Sequence, residues 1–585
     1  MLHVAAASDQ PKPPPGDASP DEARQPQRAA SEPTFLDGRS VSPADRDVWN
    51  LHGARCHLVG IGGCGMSGLA RMLRARGAAV TGTDNADSAV VQGLRREGVA
   101  VSLDQTGAAL PNHADIVVAS AAIGPDHPEL VAARERGAET LTYAQALGRC
   151  MLGRTSVAVA GTHGKSTTSA MLGATLLAAG LEPTVIVGAA CAQVSGETTA
   201  PVVSGFRLGA DRIPRGRLAG SPGALVAEAC EFNRSFHHLH PTIAAITSVE
   251  ADHLDVYGTL DAVVRAFADF AARLPDADRG GRLLIEHDRA HRREITAGLR
   301  CDVRTIGFAP GADYVVSVER TAPAADRAAA RQSVRVRTAA GDELAAFQLR
   351  QPGDHMAMNA AMAAVLADWL GAERDDINAG LAAFRGVERR MQPLADLPTS
   401  DMGFARLWDD YGHHPTEIDA TLRALRRFEP TLADAPRPAD APRSVANPAA
   451  ASPSASPPTG RLICVFQPHQ HSRTRFLLDE FAQSFSAADL VVVPDIYFVR
   501  DSAIEKTKVS AADLVDRLRE RGVDAMHLYP FQAIADQLRA IARNGDVIVT
   551  MGAGPVWKVA AMLIAPPTPP APPASPPPPG AAQPH

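Results

Sequence analysis

Residues 157–168 read Val157-Ala158-Val159-Ala160-Gly161-Thr162-His163-Gly164-Lys165-Ser166-Thr167-Thr168, an apolar run broken by two glycines and followed at once by Lys-Ser. The run has the length of a buried parallel strand, and the residues after it have helical periodicity. A glycine-rich turn from strand to helix leaves backbone N–H groups free at the helix start, where they can wrap phosphates. Lys165 is then placed to neutralise β/γ oxygens and the Ser166 hydroxyl to reach Mg²⁺. Gly161, Thr162, His163, Gly164, Lys165, Ser166 and Thr167 are therefore the expected ATP cradle. It is not the full common phosphate loop, because the first glycine stands only three residues before Gly164.

On both sides of this turn the pattern is α/β. ARCHLVGIGG, DIVVASAAI, ALVAEA, TIAAITSV, RLICVF, DLVVVPD and DVIVTMG have the length of buried strands, and most precede helix-periodic segments. Strand and helix in alternation mean βαβ units with parallel sheets covered on both faces. Strand-plus-glycine starts near Arg55 and Thr155 imply two nucleotide-type sheets, with a third starting around Gly403. The expected fold is thus α/β in three domains. These are a Rossmann-like domain over 51–152, a central P-loop ATPase-type domain over 153–393 and a C-terminal Rossmann-like domain over 394–565. Residues 1–50, an insert at about 429–459 and the tail 566–585 are Pro-, Ala- and Ser-rich, a composition that buries too little apolar surface to order a chain.

The first glycine cluster, Gly60-Ile61-Gly62-Gly63-Cys64-Gly65-Met66-Ser67-Gly68, contains G-x-G-x-x-G between a strand and a helix. That is the context of a diphosphate site, and Asp84, about 20 residues on at a strand end, is placed to accept ribose or base hydrogen bonds. The motif alone does not choose NAD over a UDP-sugar. Glu228 and Glu231 close the strand ALVAEACE, and carboxylate oxygen suits Mg²⁺. His253 follows IAAITSVEADH beside Asp252 and Asp255. It can touch a second metal or the transferred phosphoryl group, or DHLD can simply cap a helix. Asn359 fits an adenine edge or a helix cap equally well, and Arg389 and Arg390 can hold phosphate. Two histidine-rich loops, Trp408 to Glu417 and Phe466 to Arg475, read as a polar cleft for an anionic substrate.

The 585-residue chain is 45% hydrophobic with a net charge of −7, which argues against a general nucleic-acid binder. Its seven cysteines are scattered, without a C-x-x-C pair, and fit a reducing compartment. The N-terminus lacks the pattern of an export signal, and no apolar run approaches the roughly 18 residues of a membrane span. The expectation is a soluble, cytoplasmic protein without membrane or nucleic-acid partners.

GIGGCGMSG, GTHGKS, the DH pair among acids, DDYGHHPTE and FQPH, in that order from about Arg55 to Ile564, resemble the Mur ligase family. The resemblance implies that ATP phosphorylates a substrate carboxylate and that an amino-acid amine attacks the acyl phosphate. The carboxylate would be the lactyl group of UDP-N-acetylmuramate and the amine L-alanine; a recovered tripeptide as acceptor is the alternative. A nicotinamide-linked oxidoreductase and a non-catalytic nucleotide switch are further alternatives. It also implies that the first domain holds UDP through Gly60, Gly62, Gly63, Gly65, Met66, Asp84 and Ser120. Ser166, Glu231 and His253 would complete the metal sites, with Lys165 on ATP. Asn359, Arg390 and Asp410 would contact the nucleotide, and Tyr411, His414, His469 and Arg473 would lie near the reacting groups. The third domain is expected to close over the second, in a monomer or weak homodimer. The chain departs from the family pattern at Cys230, Phe232, Asn233, Met356, Gln470 and Pro555. It has no lysine between Glu231 and Arg300, so no carbamylated lysine is expected.

Overall fold

The computed structural model describes residues 49–196, 204–320, 331–433, 460–499 and 501–565. The disorder expected of the tails and the insert lies outside them, except at two edges. Trp49 and Asn50 are described, with the Arg149 guanidinium over the Trp49 ring at 5.3 Å. The insert begins later than expected, because a short helix Pro430–Ala433 continues the chain past Glu429.

The first sheet contains β1 (Arg55–Val59), β2 (Ala79–Thr83), β3 (Ala100–Ser102), β4 (Ile116–Ala119) and β5 (Glu139–Thr142). All its pairs are parallel, in the order β3-β2-β1-β4-β5. The chain reverses its direction of travel between β1 and β4, where such sheets open a ligand crevice. The first glycine cluster sits at that point.

The second sheet holds β6 (Thr155–Ala160), β7 (Thr184–Ile186), β8 (Phe206–Arg207), β9 (Ala224–Glu228), β10 (Ile243–Ile246), β11 (Arg282–Glu286), β12 (Asp302–Gly307), β13 (Tyr314–Arg320), β14 (Gln332–Thr338) and β15 (Glu343–Leu349). Its order is β15-β14-β13-β12-β11-β10-β6-β9-β7-β8. The centre is parallel, but β13, β14 and β15 form an antiparallel meander that the sequence reading did not separate. Its strands alternate, with Val334 and Val336 buried between exposed arginines, because only one face meets the core.

The third sheet runs β16 (Gln392–Pro398), β17 (Phe404–Asp410), β21 (Val547–Met551), β18 (Leu462–Phe466), β19 (Leu490–Val493) and β20 (Ala525–His527). It starts before Gly403, since β16 pairs antiparallel with β17 and straddles the boundary expected at 393/394. Pro393 and Pro398 hide it in the sequence, and an edge strand is where proline is tolerated.

Two expected strands also end early. The run expected to lead into His253 stops at Ile246, and the one closing on Glu231 stops at Glu228, leaving the acids and His253 on loops. The helix expected to open at Asn359 begins at Asp354, so Asn359 lies within it and is not its cap. This helix, Asp354–Trp369, packs on Lys165–Ala178, and Ala357, Ala360, Ala361, Ala363 and Ala364 are fully buried. Small side chains let the two backbones approach closely, which holds the phosphate-turn helix rigid. Ala361→Leu should therefore overpack this contact and lower stability by about 1–3 kcal/mol, read from urea denaturation.

Candidate active site

The turn after β6 is built by two glycines that nothing else replaces. Gly161 has φ +137° and a Cβ there would meet the Thr247 hydroxyl at 2.0 Å; Gly164 has φ +82° and would meet Asn359 Oδ1 at 2.5 Å. Gly164 caps the buried helix Lys165–Ala178. Thr162 ties the turn to the loop after β10: its N–H donates to the Ser248 carbonyl at 2.8 Å and its hydroxyl accepts from the Glu250 N–H at 2.9 Å.

Lys165 reaches Glu231, with Nζ 2.8 Å from Oε2, and donates to the carbonyls of Gly161 and Thr162 at 2.5 and 3.0 Å. Burial would lower its pKa, but Glu231 foremost among neighbouring groups raises it above the ordinary lysine range, so the ammonium is fixed. Ser166 donates to Glu228 Oε1 at 2.9 Å, and the Gly188 N–H holds the other Glu228 oxygen at 2.8 Å. His253 Nε2 lies 3.7 Å from Glu231 Oε1. Burial lowers the pKa of His253, against the pull of Asp252 and Glu231, which favours the neutral, ligand-competent ring. A hydroxyl, two carboxylates and a neutral imidazole thus gather around Lys165.

This group faces a cavity lined also by Thr162, His163, Gly164, Glu388, Arg389, Arg390, Tyr411 and His413. A second cavity adjoins it and is lined by Asn359, His355, Met356, Glu286, Arg289, Asp410 and Thr421, among others. His163, Gly164, Thr167, Arg390 and Glu417 border both. The phosphate turn therefore lies between a charged chamber and a less charged one, the arrangement a nucleotide needs for its phosphates and its base.

The loop after β17 lines the charged chamber, and the loop after β18 packs behind it. Asp410 accepts from the N–H groups of Met391 and Gly412 at 2.7 and 2.6 Å, and burial raises its pKa to about 6. The guanidiniums of Arg389 and Arg390 lie over the Tyr411 ring at 5.1 and 4.7 Å. Arg389 is spent on Asp409 and the Gly552 carbonyl, leaving Arg390 as the arginine that borders both cavities. His469 sits between the rings of His413 and Tyr497, at 6.0 and 5.8 Å. His414 and Arg473 bind the loop after β10, through the Ala251 carbonyl and Asp252.

Of the residues expected from the sequence, Thr162, His163, Gly164, Lys165, Ser166, Thr167, Glu231, His253, Arg390 and Tyr411 share the first cavity, and Asn359 and Asp410 line the second. Gly60, Gly62, Gly63, Gly65, Met66, Asp84 and Ser120 line neither and form a separate turn. There Asp84 already accepts the Gly62 N–H at 2.8 Å, and a Cβ on Gly60 would meet Ser120 at 3.0 Å. The Cys64 thiol donates to the Val187 carbonyl, which brings this turn beside the Gly188–Ala190 wall of the charged chamber.

Sequence reasoning assigned no role to Glu250, Glu417 or His355. His163 Nδ1 lies 3.1 Å from Glu417 and Nε2 lies 3.5 Å from Glu250. Burial would lower the His163 pKa, but Glu417 and then Glu250 outweigh it and raise it to about 9. The only sequence signal for Glu417 was its place three residues after His414 in a capping box.

Three stacked α/β units around a lysine–serine phosphate turn define a nucleotide-dependent enzyme of the ligase kind. Residues 55–155 match the Mur ligase family, catalytic domain; 159–367 match the Mur ligase middle domain; 439–554 match the Mur ligase, glutamate ligase domain. A UDP-N-acetylmuramate–L-alanine ligase of Lachnospira eligens is 33% identical over 87% of this chain and 97% of its own. The fold is shared with the alanine ligase of Thermotoga maritima (TM-score 0.63, 22% identity, 87% and 98% of the two chains). A murein peptide ligase of Psychrobacter arcticus has the same fold (TM-score 0.59, 22% identity, 88% and 98%). The chain belongs to the Mur ligase family.

Gly164→Ala should lower stability by roughly 1–2 kcal/mol in urea denaturation, the cost of a left-handed alanine, before its contact with Asn359 is counted. His163 faces Glu417, Glu250 and the His414 ring, with Arg390 and Arg289 behind the two acids. Because its pKa is raised in the fold, its contribution is complete below its ordinary value of 6.5 and lost as pH rises to about 9. The wild-type melting temperature should fall across that window, with a component absent from His163→Gln.

Proposed function

We propose that this chain joins L-alanine to the lactyl carboxylate of UDP-N-acetylmuramate at the expense of ATP, a cytoplasmic step of peptidoglycan synthesis. The observation that carries the reading is the single chamber in which Lys165, Ser166, Glu231, His253 and Arg390 meet Tyr411 and His413 from the loop after β17. The glycine turn Gly60–Met66 would hold the UDP diphosphate, and the lactyl carboxylate would enter the chamber past Gly188.

The donor set fits Mg²⁺, since the Ser166 hydroxyl, Glu228 and Glu231 are hard oxygen ligands beside a neutral His253. Held there by Ser166, Glu231 and His253, the ion would offset charge on the phosphates. The chain's own residues orient and neutralise. Lys165 holds its ammonium toward the transferred phosphoryl group, and Asn359 and Asp410 seat the nucleoside. A carboxylate oxygen forms a bond to the γ-phosphorus and ADP leaves. The amine nitrogen then attacks the acyl carbon, loses a proton and expels phosphate, leaving an amide. Positioning and charge neutralisation carry most of this chemistry. Water must be excluded from the acyl phosphate, a task that falls to the loop after β17 bordering the chamber.

Phosphate release from ATP should require both UDP-N-acetylmuramate and L-alanine, with the recovered tripeptide inactive as acceptor. Release with the tripeptide and not with alanine would transfer the reading to a murein peptide ligase. Lys165→Ala should cut turnover by about 100- to 1,000-fold, the usual cost of one preorganised charge-stabilising group. Full turnover in that variant removes the role given to Lys165.

A further inference from the structure

Between β10 and His253 the chain makes a strap whose last three residues are each gripped by the C-terminal domain. The Thr416 hydroxyl donates to Glu250 Oε2 at 2.5 Å, His414 Nε2 lies 3.2 Å from the Ala251 carbonyl, and Arg473 Nη2 donates to Asp252 Oδ1 at 2.5 Å. The grips come from two separate elements, the start of helix Pro415–Phe428 after β17 and helix His471–Phe476 after β18. From the other side Thr162 of the phosphate turn holds Ser248 and Glu250.

The next residue is His253, whose backbone is left-handed at φ +52° and ψ +38°. That region is uncommon for a residue other than glycine, though histidine enters it more readily than most. The Asp252 carboxylate imposes it here, because the oxygen that accepts Arg473 also accepts the His253 N–H at 2.6 Å. Asp252 and Arg473 are both more than nine-tenths buried. The ring so placed holds Nε2 between Glu231 Oε1 at 3.7 Å and Asp252 Oδ2 at 3.8 Å, beside Lys165.

We propose that Asp252 is a positioning residue through which docking of the C-terminal domain sets His253 against Glu231. The catalytic group is completed only while the strap is gripped, so an ungripped strap leaves His253 misplaced for phosphoryl transfer. This rests on the ATP-dependent ligase reading, because it presumes that His253 and Glu231 serve the phosphoryl step. The glycine turn that would hold the nucleotide-sugar diphosphate lies in the first domain and makes none of these grips.

The test uses the full chain with Asp252→Asn, which keeps an acceptor for His253 but removes the charge facing Arg473, and Thr416→Val, which removes the hydroxyl grip on Glu250 while leaving every charged side chain in place. Amide hydrogen exchange over residues 249–254 is read without substrates, and kcat and KM with all three. Exchange should quicken in both variants. The kcat should fall about tenfold in Thr416→Val, the rate equivalent of one hydrogen bond, and about 100-fold in Asp252→Asn, with the KM for the nucleotide-sugar unchanged. If Asp252→Asn does not fold, Thr416→Val carries the test alone. Unchanged exchange overturns the proposal, as does faster exchange with unchanged kcat. A wild-type enzyme inactive with alanine overturns the functional reading instead, and leaves the exchange result to judge the strap.

Discussion

The buried ammonium of Lys165 is the constraint around which the rest of the centre is arranged. A charge taken out of water costs several kcal/mol unless it is paired and hydrogen-bonded. Here Glu231 pairs with it and two carbonyls of its own turn accept from it, so the turn, the end of β9 and the ammonium are locked together. Glu231 in turn faces His253, and Ser166 takes the neighbouring Glu228. The Tyr257 hydroxyl donates to the Glu231 carbonyl and fixes the backbone that carries the acid.

Two large cavities meet at this lock because the second and third sheets both present strand C-termini to it. Loops leave the C-terminal ends of β6, β9, β10, β17 and β18 at one place, where a parallel sheet gathers its functional groups. The antiparallel additions, β13–β15 and β16, lie at sheet edges and supply almost none of the lining side chains. The Ala-rich helix Asp354–Trp369 buries one face on the phosphate-turn helix and brings Asn359 and His355 to the second cavity. Packing and site construction are here the same contact.

Charge is distributed to match. His163 is held as an imidazolium between Glu417 and Glu250, whereas burial holds His253 and His413 neutral, the latter with its pKa down to about 3. Three histidines within one chamber thus differ in charge for reasons of depth and neighbours alone. The buried pair of Arg473 and Asp252 adds little net stability once desolvation is counted, so its value lies in geometry.

The amino-acid order was enough to locate the elements that chemistry needs locally. The strand–turn–helix at 155–178, the glycine turn after β1 and the two histidine-rich loops are all short-range patterns, where glycine placement and periodicity act within a few residues. The same is true of the α/β class. Strand ends at Glu228 and Ile246, the edge strand β16 and the meander β13–β15 were not legible, because pairing partners and solvent on one face decide them. Tertiary structure alone chose the partners of the buried charges: Glu231 for Lys165, 66 residues away, and Asp252 for Arg473, 221 residues away. A charge must find its counter-charge in space, and a linear pattern carries no record of which one the fold brings near.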